Sequence, residues 1–174
     1  MDSTLECNQL PFLILLLFII IFSSVDANPT RKFPLNILKN NQNKWRTLHI
    51  ELEESSGPVS PEFQYRIKVY VQAVREGFFI YKSSSKGTEI TEPVRSRISE
   101  KKYLAILSKL LKNSIHLIPN ENLPKERLLG VSYNMVSFKI GKQKKQFYYL
   151  LQDIDKNNFN QKKEIVKILK EVKP

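Results

Sequence analysis

Histidine, cysteine and glycine are scarce in this chain: two His, one Cys and five Gly among 174 residues. The two histidines, His49 and His116, lie in different stretches, so no histidine pair is close in sequence to serve as acid and base or as metal ligands. Five glycines leave no phosphate-cradling loop, and neither a metalloprotease helix nor a nucleophile elbow is present. Cys7 precedes the N-terminal apolar run, so it is not placed as the lipid-modified cysteine of a bacterial lipoprotein. Asn28-Pro29-Thr30 has proline in the middle and is no glycan acceptor. No catalytic residue is assigned on these grounds. Carboxylates alone can cleave glycosides, which keeps a carboxylate-dependent enzyme as the alternative to a binding protein.

A single long apolar run, Phe12 to Phe22, is followed by Ser23, Ser24 and Val25-Asp26-Ala27. It is shorter than the ~20 residues that span a bilayer, but it matches the hydrophobic region of a secretory signal. Val25 and Ala27 stand where a signal peptidase reads, so residues 1–27 are expected to be cleaved after Ala27. The missing Lys or Arg before the run departs from the usual signal. The reading places the chain outside the cell or in a periplasm, with membrane contact only through this segment. Cys7 leaves with the signal, and the mature fold has neither disulfide nor thiolate to rest on.

Loss of Asp2, Glu6 and Asp26 with the signal raises the net charge from +11 to +14. Such a charge favours anionic partners and speeds encounter with them. Lysine supplies most of it, and lysine is a hydrated point charge poorly suited to bidentate recognition. An exported chain is expected to meet a protein or an anionic glycan or lipid surface rather than nucleic acid.

Residues 28–44 are polar and Asn-rich and read as an N-terminal arm, and 45–174 as one domain. Leu48, Ile50 and Leu52 alternate with His49, Glu51 and Glu53 as in a half-buried strand. The same period runs from Phe63 to Val71, with Phe63, Tyr65, Ile67 and Val69 inward. Arg75-Glu76-Gly77 turns the chain into a partner strand at Phe78 to Tyr81, and Ser83 to Pro93 reads as a polar loop. A helix capped by Ser99 carries the stripe Tyr103, Leu104, Leu107, Leu110 and Leu111. Strands return at Tyr133 to Ile140 and Phe147 to Leu151 around Gly141-Lys142, with Gln143 to Gln146 able to lengthen the turn, and a last helix starts near Asn160. The expected fold is α+β: an antiparallel sheet of about five strands in the order βββ-α-ββ-α, covered on one face by two amphipathic helices.

Two groups of residues are candidates for binding. On the sheet face away from the helices, Arg66, Lys68 and Tyr70 point outward with Tyr148, interleaving basic and aromatic side chains. The segment Asp153 to Glu164 is twelve residues long and resembles an EF-hand calcium loop, with Asp153, Asp155, Asn157 and Glu164 as the oxygen ligands. Asn158 replaces the turn-forming glycine and three lysines dilute the charge, so the same residues also suit a capped turn before the last helix. His49, Glu51 and Glu53 share a strand face, as a solvated polar face would also arrange them. The apolar neighbours of His116 place it at the core boundary.

Overall fold

The computed structural model describes residues 38–126 and 128–174, and of Asn157 the backbone alone. The expected signal segment and most of the expected arm lie outside the described residues. The domain is α+β, with a six-stranded antiparallel sheet and two helices. The strands are β1 (Leu48–Ser55), β2 (Tyr65–Val74), β3 (Gly77–Lys86), β4 (Glu89–Ile98), β5 (Asn134–Ile140) and β6 (Gln143–Tyr149). Helix α1 (Glu100–Lys112) lies between β4 and β5, and α2 (Asn160–Glu171) closes the chain. The sheet order is β4-β3-β2-β1-β5-β6, so a four-strand meander is extended on its β1 side by the β5–β6 hairpin.

The extra strand is β4, and it corrects the loop expected at Ser83 to Pro93. Strand β3 continues through Ser83, Ser84 and Ser85, paired with Lys68, Ile67 and Arg66 of β2, and turns at Gly87 into β4. Strand β4 is the sheet edge, and nearly all its residues are exposed. An edge strand that buries neither face needs no hydrophobic alternation, which is why the sequence looks like a loop there. Phe63 also departs from its expected core position. Pro61 starts a short 3-10 turn, Pro61–Phe63, that leaves Phe63 68% exposed, and β2 begins only at Tyr65. Gln143 to Gln146 belong to β6, so the β5–β6 turn is just Gly141-Lys142, with Gly141 at φ +54.

The core lies on one side of the sheet. Leu48, Ile50 and Leu52 of β1, Val69 and Val71 of β2 and Ile80 of β3 are fully buried, as period-two strands require. Tyr103, Leu107 and Leu110 of α1 and Ile165, Val166 and Leu169 of α2 supply the facing layer. Each large aliphatic side chain removed from water contributes ~1.5–3 kcal/mol. An aromatic cluster fixes α1: the Tyr103 ring lies 4.6 Å from that of Phe78, and Trp45 meets both edge-on at 5.7 and 5.6 Å.

Helix ends follow their caps. The Ser99 hydroxyl accepts from the Lys102 N–H at 3.2 Å, and Lys109 and Lys112 complement the dipole at the C-terminus of α1. Helix α2 has no side-chain cap and follows directly on a 3-10 turn at Asn157–Phe159. The turn expected before the last helix is present, but no side chain caps α2. No described helix is long and apolar enough to cross a membrane.

Candidate functional site

Antiparallel register places side chains in rows across the sheet face that points away from both helices. One row runs Arg97, Phe79, Gln72, His49, Lys139, Lys144, and the next contains Arg95, Tyr81, Tyr70 and Glu51. Both helices engage the opposite side: Tyr103 stacks on Phe78, and Lys170 of α2 reaches Glu54 at 2.6 Å. Among the register-paired residues described, the outer face thus presents Arg66, Lys68, Arg95, Arg97, Lys139 and Lys144 with the acids Glu51 and Glu53.

The geometry at its centre is aromatic. Tyr70 and Tyr81 stack with centroids 4.5 Å apart, and His49 lies 5.2 Å from Tyr70. The Arg95 guanidinium sits 4.1 Å above Phe79, and Lys68 Nζ lies 5.3 Å from Tyr70. Lys68 also bridges Glu53 at 2.5 Å and Glu51 at 3.2 Å. The Glu53 hydrogen bond is the main reason that the Lys68 ammonium is held above its ordinary pKa. Glu51 additionally meets His49 Nε2 at 3.3 Å, and the other ring nitrogen is held by Gln72 at 2.8 Å.

Arg66, Lys68 and Tyr70 therefore share the outer side of β2 in that order, with Lys68 between Arg66 and Tyr70, but Lys68 is bound up with acids rather than offered to a partner. Tyr148 is separated from them by β1 and β5, and its ring lies 5.8 Å from Tyr133 instead. The residues missing from the expected site are Phe79, Tyr81, Arg95 and Arg97. Phe79 and Tyr81 were legible in the alternation of β3, whereas the arginines depend on recognising β4 as a strand.

A second polar centre lies on the helix side. Glu54 continues the inward parity of Leu48, Ile50 and Leu52 and is 2% exposed. Its carboxylate accepts from the Tyr149 hydroxyl at 2.5 Å and the Tyr65 hydroxyl at 3.0 Å, and pairs with Lys170 at 2.6 Å. A buried charge with this many partners is compensated rather than orphaned. Burial, then the Glu54 charge, pushes the Tyr65 phenol up to about 12, and burial and Glu54 raise Tyr149 further. Both phenols remain donors at neutral pH. The cluster borders an open cleft of about 440 Å³ whose lining includes Phe63, Ile67, Ser84 and Thr91.

In the acidic segment, Asp153 pairs with Lys156 at 2.5 Å and Asp155 with Lys163 at 2.8 Å. Glu164 is exposed on α2. Among the described residues no group of three or more His, Cys, Asp or Glu is placed to hold a metal ion. His116 is partly buried in the turn after α1, where burial and then the Lys145 charge lower its pKa.

The third site is a cleft of about 600 Å³ at the β6 edge, lined by Glu121, Asn122, Tyr133, Tyr148, Phe159 and Lys162 among others. The segment before β5 seals that edge. The Glu121 N–H donates to Gln146 O at 2.8 Å, and Asn120 Oδ1 accepts from the Gln146 N–H at 3.0 Å. Lys162 Nζ lies 2.7 Å from both Glu121 carboxylate oxygens. It also lies 5.3 Å from the Phe159 ring and 5.8 Å from the Tyr148 ring. The chain matches no protein-family model, no curated protein and no solved structure at a significant level.

Proposed function

We propose that this chain is an exported, non-enzymatic binding domain whose outer sheet face docks on an anionic partner, an acidic protein or an anionic surface. The observation that carries the reading is the imbalance on that face. Among the register-paired residues, six basic side chains meet two acids, and both acids are already engaged by Lys68. Arg95, Arg97, Lys139 and Lys144 therefore supply the outward field, flanking a patch of Phe79, Tyr70 and Tyr81. Arginine over an aromatic ring keeps its fork free for a carboxylate or sulfate while the ring holds it in place.

Retention on heparin over a sodium chloride gradient tests the reading. Elution well above physiological salt is expected, with a shift to lower salt in the paired variant Arg95→Ser, Arg97→Ser. Arg66→Ser should shift elution less, because Arg66 lies away from that patch. Elution below physiological salt by the parent protein would mean that the charge only keeps the domain soluble.

A further inference from the structure

We propose that the cleft at the β6 edge is a binding subsite for an uncharged carbohydrate. The charges lining this cleft are already paired. Lys162 is matched by both oxygens of Glu121, and Asp153 is matched by Lys156. An anionic ligand would meet two carboxylates whose cations are already engaged, and a cationic one would have to displace Lys162 from Glu121. A neutral ligand meets neither obstacle.

The edge geometry next disfavours a peptide strand. At Gln146, beside the cleft, the main-chain groups with which such a strand would pair are occupied by Asn120 and Glu121, and Glu121 Oε2 also accepts from the Tyr148 N–H at 3.3 Å. What remains is an aromatic wall with polar groups at its rim. Tyr133 and Tyr148 lie 5.8 Å apart at 56°, so their rings form two sides of a corner, and Phe159 forms another part of the lining. Asn122 offers an amide. The Tyr133 oxygen accepts from the Leu128 N–H at 3.3 Å, which directs its own proton elsewhere.

A pyranose ring matches this set. One of its faces is a patch of C–H groups that packs on the electron-rich face of an aromatic ring, and its rim is a ring of hydroxyls that both donate and accept. The volume of about 600 Å³ accommodates one or two sugar rings and lies within the range of small-molecule sites. This subsite is separate from the charged patch and stands whether or not that patch binds an anion.

The test is saturation-transfer NMR on the full chain with neutral trisaccharides built of glucose, mannose, xylose and N-acetylglucosamine, at low and high salt. At least one is expected to bind, with an affinity unchanged by salt and unchanged in Arg95→Ser, Arg97→Ser. Tyr133→Ala and Tyr148→Ala should each weaken it by about tenfold or more. Tyr148→Phe keeps the stacking ring and should retain most of the affinity, which separates lost stacking from a misfolded variant. Failure of all four sugars to bind overturns the proposal. So does binding that survives both alanine variants, or binding that appears only for sulfated sugars and disappears with salt.

Discussion

The Tyr149 hydroxyl donates to Glu54 Oε2 at 2.5 Å, joining β6 to β1 across the intervening β5 on the helix side of the sheet. The bond ties the hairpin at one edge to the centre of the sheet, and Lys170 adds α2 to the same carboxylate. Tyr149→Phe should therefore lower the unfolding free energy by ~1–2 kcal/mol. Glu54→Ala should lower it by more, ~3–5 kcal/mol, because the buried Tyr149 phenol and the half-buried Tyr65 phenol both lose their acceptor. Urea unfolding measures both. A neutral Tyr149→Phe would mean that the hydroxyl finds water instead.

High pH should weaken the same cluster. An unfolded tyrosine ionises near ~10, whereas Tyr65 is pushed up to about 12. Folding thus favours the protonated phenol. Its contribution is intact below about pH 10 and is lost as pH rises towards about 12. Tyrosinate absorbance of the folded protein should show Tyr65, Tyr103 and Tyr149 ionising above the ~10 of an unfolded phenol. In Tyr65→Phe the decline in stability over that window should be shallower. Ionisation of these three phenols at ~10 would overturn the assignment.

The outer edge of β4 carries Pro93, Arg95 and Arg97 on a strand whose Ile90 and Val94 are exposed. Proline lacks an edge donor, and like charges repel a second edge. Pro93→Thr combined with Arg95→Thr should produce concentration-dependent association, read by sedimentation velocity. A variant that sediments as the parent does at every concentration would show that other features protect this edge.

Calcium should leave the melting temperature unchanged into the millimolar range typical of weak extracellular sites, ~10⁻⁴ to 10⁻³ M. Asp153 and Asp155 are each turned to a lysine rather than to a common point. A rise that disappears in Asp153→Ala would reverse this expectation and restore the segment as a calcium loop.

Strand parity and one helix cap were readable locally. Alternation alone placed Leu48, Ile50, Leu52 and Val69 in the core, and Ser99 marked the start of α1. Strand β4 was hidden because an exposed edge imposes no hydrophobic period. The pairing of Lys68 with Glu51 and Glu53 depends on β1–β2 register, and the distance of Tyr148 from Tyr70 depends on β5 and β6 attaching beyond β1. Neither is a property of neighbouring residues. Glu54 stood at an inward position in plain view, but a glutamate at a strand end reads as solvated until Tyr65, Tyr149 and Lys170 are brought around it.

Every strand pairing in the sheet except one joins sequence neighbours. The exception is the seam from Leu48↔Ile140 to Glu53↔Met135, which brings together parts of the chain separated by three strands and α1. Closing that span is the step with the largest entropic cost, so the seam should set the folding rate. Doubling the length of a flexible connection adds only ~0.6 kcal/mol to closure, so an insertion between α1 and β5 should slow assembly little. Val136→Ala, within the seam, should slow it far more, because it weakens the contacts that compensate for closure. The β1–β4 meander would then be the half of the domain that orders first, with the β5–β6 hairpin docking onto its exposed β1 edge.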